Sequence, residues 1–126
     1  MDYRIRWITY KGKKILVNDY HGMEGKNLLD QIDICVLYIV KSKEKEISLL
    51  VNLEHVEVST ASQLKFAEAA RHIKEYCKKT AVIGLTPIKR KILNAINAIT
   101  GLGAKGFKTD IEAKNWLISD TAESNA

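Results

Sequence analysis

Cysteine, proline and phenylalanine are scarce: the 126 residues hold two, one and two of them. Two cysteines, Cys35 and Cys77, are too few for a disulfide framework and lack the paired spacing of a zinc site. Each falls in a helical pattern, where a thiol acts as a small apolar side chain. No apolar run approaches the roughly 20 residues that span a bilayer, and the start carries no signal-peptide core, so a cytoplasmic protein is expected. His21, His55 and His72 stand far apart without metal-ligand spacing, so no metal site is expected. Few aromatics, and no strand interleaving them with basic residues, leave nucleic acid last among conceivable partners. No Walker A sequence, internal repeat or linker occurs.

What is present describes one globular domain. Hydrophobic residues make up 46% and charged residues 28%, a composition neither disordered nor fibrous. Residues 1–118 are expected to form the domain and 119–126 a polar, flexible tail. The net charge of +5 is uneven: residues 1–63 balance nine Lys/Arg against nine Asp/Glu, whereas residues 64–126 hold eleven against six. The basic residues are dispersed over several elements, so a solvated surface ranks first and an anionic partner second.

The apolar pattern predicts α/β architecture. Tyr3–Tyr10 and Lys14–Tyr20 flank Lys11-Gly12-Lys13 and read as an antiparallel hairpin. A helix from about Glu24 to Lys41 buries Leu28, Ile32, Cys35, Val36 and Ile39, and the strand Ile47–Leu53 follows. Thr60 with Gln63 suggests a capping box for a helix beginning near Ser59, with Phe66, Ala70, Ile73 and Cys77 on its apolar stripe. Thr80–Leu85 is an uninterrupted apolar run, as in a strand covered on both faces. Thr86-Pro87 then caps a helix with Ile88, Ile92, Ile96 and Ile99 at helical spacing, and Gly101 ends it. The strand Ala104–Lys108 and a helix opened by Thr109–Glu112 complete the order ββαβαβαβα, a mixed and mostly parallel sheet with about four helices.

Candidate chemistry is sparse. Gly101, Gly103 and Gly106 match G-x-G-x-x-G, but a helix precedes them and a strand follows, the reverse of a dinucleotide site. Asp30 and Asp33 share a helix face as solvated charges, and Cys77 has no histidine near it in sequence. No catalytic set, cofactor or metal is expected, and hence no enzyme. Thr86, Lys89 and Arg90, where a strand end enters a helix, form a candidate anion or partner site, because helix amides and cations both attract negative charge.

Leu50-Val51-Asn52-Leu53, Ser59-Thr60-Ala61-Ser62, Val82–Thr86, the Ile92–Ile99 pattern, Phe107 and Glu112–Leu117 together resemble the STAS superfamily. More narrowly the chain is similar to the bacterial SpoIIAA-like (STAS/SEC14-type) stand-alone domains, over about Tyr3 to Leu117. The resemblance implies a non-enzymatic regulatory module acting on a protein partner, a regulator or a kinase. In STAS switch proteins a serine or threonine opening a helix accepts a phosphoryl group, which here implies Thr60 or Ser59, with Ser62 on the same surface. Asn52 stands at the family's strand aspartate, and the glycine of the family's loop is missing. The SEC14-type side implies an alternative, a carrier or sensor of a lipid-like ligand. The wide apolar arc of the first helix, including Leu37, Tyr38 and Val40, fits either a pocket or a homodimer.

Overall fold

The computed structural model describes residues 3–120. Along the chain lie β1 (Ile5–Tyr10), β2 (Lys13–Asp19), α1 (Gly25–Ser42), β3 (Ile47–Asn52), α2 (Thr60–Ile73), a 3-10 turn (Lys74–Tyr76), β4 (Cys77–Ile83), α3 (Pro87–Thr100), β5 (Lys105–Phe107) and α4 (Asp110–Ile118). The sheet runs in sequence order, β1-β2-β3-β4-β5, with β1 antiparallel to β2 and every other pair parallel. This is the mixed α/β order expected from the sequence. The hairpin turns on Lys11 and Gly12, both at positive φ (49° and 81°), the pairing that matches strand twist in a two-residue loop.

Strand alternation divides the core into two layers. Leu16 and Leu49 face α1, whose Leu28, Ile32, Cys35 and Ile39 are buried against them. Ile15, Val17, Leu50, Ala81 and Ile83 point the other way and are covered by Ala113 and Leu117 of α4. The three helices that link parallel strands share one face, as expected when a sheet is laid down in one direction with crossovers of one hand.

Three expectations need correction. Cys77 opens β4 rather than closing α2, because the 3-10 turn ends the helical run before it. The capping box at α2 pairs Ser59 with Ser62 instead of Thr60 with Gln63: Ser62 N donates to Ser59 Oγ at 3.1 Å and Ser59 N to Ser62 Oγ at 2.8 Å. On α3, Ile88 and Ile99 are 72% and 63% exposed. The inward stripe is Lys89, Leu93, Ile96 and Thr100, an i, i+4, i+7, i+11 set with polar residues at both ends, and Ile92 flanks it.

Residues 121–126 of the expected tail lie outside the described residues. Ser119, its first residue, is held: Lys79 Nζ donates to its carbonyl oxygen at 2.9 Å.

Candidate functional site

Helix α3 packs chiefly against α2 and stands off the sheet, and the stand-off leaves an apolar cavity of about 90 Å³. Its floor is the sheet face carrying Leu49, Val51 and Val82; its far wall is Ile92, Leu93 and Ile96 of α3. Tyr20 and Phe66, edge to face at 5.4 Å between ring centroids, close one side.

Two buried polar atoms interrupt this apolar lining. Asn18 and Thr80 are each 3% exposed, both line the cavity, and neither Asn18 Oδ1 nor Thr80 Oγ1 has a hydrogen-bond partner among the described residues. The Cys77 thiol feels the Thr80 hydroxyl but does not reach it with hydrogen-bond geometry, and burial pushes the thiol up to about 11. Burial, followed by the nearby Cys35, raises the Tyr20 phenol well above its ordinary value, while the Asn18 side chain acts in the opposite sense. An unmet acceptor in such surroundings costs roughly 1–3 kcal/mol, so the pair is expensive to keep.

At the cavity's edge stands Lys89. Its Nζ donates to Leu53 O at 2.8 Å, and desolvation lowers its pKa against the opposing pull of Glu57. Thr86 Oγ1 accepts from Lys89 N at 3.2 Å, the cap read from the sequence. Arg90 diverges: its guanidinium lies over Gly106, where a Cβ would crowd it. Lys89 therefore lies at the cavity's rim and Thr86 caps the helix that carries it, whereas Arg90 serves the β5 side.

Ser59, Thr60 and Ser62 sit together at the amino end of α2, but Ser62 is buried with its hydroxyl donating to Ser59 O at 3.0 Å. The hydroxyls open to solvent there are those of Ser59 and Thr60, and Leu64 one turn on is 68% exposed. Gly101 and Gly103 of the dinucleotide pattern lie in the α3–β5 loop, which Asn97 clamps through Nδ2 to Ala104 O (2.8 Å) and Oδ1 from Ala104 N (2.9 Å), and Gly106 lies in β5. Among the described residues, no three His, Cys, Asp or Glu side chains gather as a metal site would need, and no helix is long and apolar enough to cross a membrane.

Sequence reasoning missed Asn18, Tyr20 and Thr80. Their signal was a polar residue at an inward position of a strand, Leu16-x-Asn18-x-Tyr20 and Thr80-x-Val82, which periodicity alone reads as ordinary strand.

Sheet order, one-sided crossover helices and an apolar cavity beside the parallel strands define a small α/β domain of the SpoIIAA-like, or STAS, fold. Two solved structures carry that comparison. An uncharacterized protein of the DUF3478 family with a SpoIIAA-like fold, from Shewanella loihica PV-4, superposes with a TM-score of 0.69 at 16% identity, over 90% of this chain and 91% of that one. An anti-sigma-factor antagonist (STAS) domain protein from Planctomyces limnophilus gives a TM-score of 0.65 at 14% identity, over 91% and 98%. No family model matches the chain, and no curated protein matches it.

Proposed function

We propose that this domain is a non-enzymatic sensor or carrier of a small apolar ligand, acting in the bacterial cytoplasm. The observation that carries the reading is the cavity beneath α3, apolar except for Asn18 and Thr80 and rimmed by Lys89. Ligand sites are concave, mostly apolar and set with a few convergent polar groups, the combination found here. A ligand filling the cavity would brace α3 against the sheet, which gives a regulatory readout at the exposed side chains of that helix. Native mass spectrometry of gently purified protein tests this. A non-covalent adduct that disappears on denaturation supports the reading, and a bare chain of the calculated mass counts against it.

A second reading, a protein-docking surface of the anti-sigma-factor-antagonist kind, is favoured by the exposed Ser59 and Thr60 beside the exposed Leu64. A phosphate on Thr60 would meet the free amides and positive dipole end of α2. Because Ser59 caps the helix, Thr60→Glu alone is the cleaner probe: it should change affinity for a regulator or kinase partner and leave the fold intact. Unaltered affinity for an identified partner removes this reading. Thr86 and Arg90, at the amino end of α3, are further candidate partner contacts. The outer side of α1, where Ile34, Leu37 and Tyr38 are exposed, supports homodimerisation, which sedimentation equilibrium would detect as a concentration-dependent mass.

A further inference from the structure

The placement of the cavity's polar atoms narrows the ligand chemistry, on the premise that the cavity binds a ligand at all. Asn18 pairs with Val51 in the β2–β3 register, and Leu49 with Thr80 in the β3–β4 register. The two unpartnered oxygens thus lie on either side of β3, on the floor of the cavity. Both can accept a hydrogen bond. Asn18 Oδ1 can do nothing else, so it calls for a donor from whatever fills the space. Lys89 lies at the carboxyl end of the same strands, its ammonium beside Leu53 O just past the end of β3. Among the described residues it supplies the cavity's one cationic side chain, and Leu53 O leaves its other two N–H donors for a further acceptor. A cavity of about 90 Å³ has room for a chain of roughly six non-hydrogen atoms between these poles.

We propose that the cavity takes a short hydroxylated aliphatic acid: the carboxylate on Lys89 Nζ at the rim, the chain along Val51 and Val82, and its terminal hydroxyl donating to Asn18 Oδ1, level with Val51, or, deeper and level with Leu49, to Thr80 Oγ1. An acid head matches the sign of Lys89, and a plain alkyl chain would leave the floor oxygens unmet. A cationic or headless amphiphile fails at the rim.

Calorimetric titration of the full chain, purified, stripped of bound material by denaturation and refolded, decides this with four probes: 6-hydroxyhexanoate, hexanoate, hexanol and hexylamine. The expected order is 6-hydroxyhexanoate tighter than hexanoate by about fivefold or more, with hexylamine weakest. Asn18→Leu should abolish or reverse the preference for the hydroxyl, and Lys89→Met should erase the preference for the acid over hexanol. Thr80→Val provides a second, smaller change on the same floor should Asn18→Leu fail to refold. Equal binding of hexanoate and 6-hydroxyhexanoate, or equal binding of hexylamine, overturns the proposed chemistry but leaves an apolar-ligand site standing. Silence from all four probes with an adduct in the native mass spectrum has the same meaning. Silence from all four with a bare native mass removes both, and a buried water is then the partner of Asn18.

Discussion

Asn52 Nδ2 donates to Asp19 Oδ1 at 3.2 Å, tying β3 to the end of β2, while Asn52 Oδ1 accepts from Glu54 N at 2.9 Å to start the following loop. The STAS resemblance read from the sequence implies an aspartate at this strand position. Here a carboxylate at 52 would face Asp19 as a like charge and lose a donor. Asn52→Asp is therefore expected to lower unfolding free energy by about 1–2 kcal/mol at pH 7. The introduced acid would have a raised folded-state pKa, so the deficit should be present at neutral pH and shrink as pH falls and the acid takes up its proton. Urea unfolding at pH 7 and pH 4 measures both; a pH-independent deficit contradicts the electrostatic part.

The hairpin, the caps at Thr86 and Thr109, and the glycine stop at Gly101 were legible because each is a local rule, satisfied within four or five residues. The cavity was not. Its existence depends on α3 turning Lys89, Leu93, Ile96 and Thr100 inward and leaving Ile88 and Ile99 of its isoleucine stripe exposed, a choice made by packing on α2 that no local pattern contains. Cys77 was misread for a related reason: helical periodicity continues across the 3-10 turn by coincidence, and strand pairing with Ile47 decides the matter. Of the candidate residues, Lys89 lines the cavity, with Thr86 capping its helix; Ser59 and Thr60 belong to a separate helix end.

Thr80→Val should stabilise the ligand-free protein. The substitution is nearly isosteric and removes a buried hydroxyl that has no partner, so a gain of about 1 kcal/mol is expected. A rise in the urea midpoint without a change in m-value would establish it, and a loss of stability would mean that Thr80 Oγ1 has a partner after all.

Lys79 is a buried lysine that closes the end of α4. Its Nζ donates to Trp116 O at 2.8 Å and to Ser119 Oγ at 2.8 Å, and sits 4.9 Å from the Trp116 ring centroid. Cations suit helix carboxyl ends, and this one adds a donor to the Trp116 carbonyl, which also accepts from Ser119 N and Oγ, and to the Ser119 carbonyl. Lys79→Met keeps the apolar stem but removes the charged donor from Trp116 O and Ser119 O, with an expected loss of about 1–2 kcal/mol and altered Trp116 fluorescence. Unchanged stability and emission would remove Lys79 from that role.

Alkali should unfold this protein more readily than its surface charges alone require. The Cys77 thiol is held up at about 11 and the Tyr20 phenol is raised as well, both first by burial. A raised folded-state value means that the stabilising contribution is complete below the unfolded thiol value and is lost as pH climbs through the folded one. Unfolding free energy should therefore fall by on the order of 2 kcal/mol between about pH 9 and pH 11, and Cys77→Ala should flatten part of that slope. A slope unaffected by Cys77→Ala would contradict the assignment.

The central claim is that the space beneath α3 is occupied in the cell. Methyl-resolved NMR spectra of gently isolated protein, compared with those of the same protein denatured, stripped and refolded, test it most directly. The account predicts shifts concentrated at Val51, Val82, Ile92, Leu93 and Ile96, with Ile111 and Ile118 of α4, across the sheet, unmoved. Superimposable spectra from the two preparations, or changes confined to the outer face of α1, would contradict it.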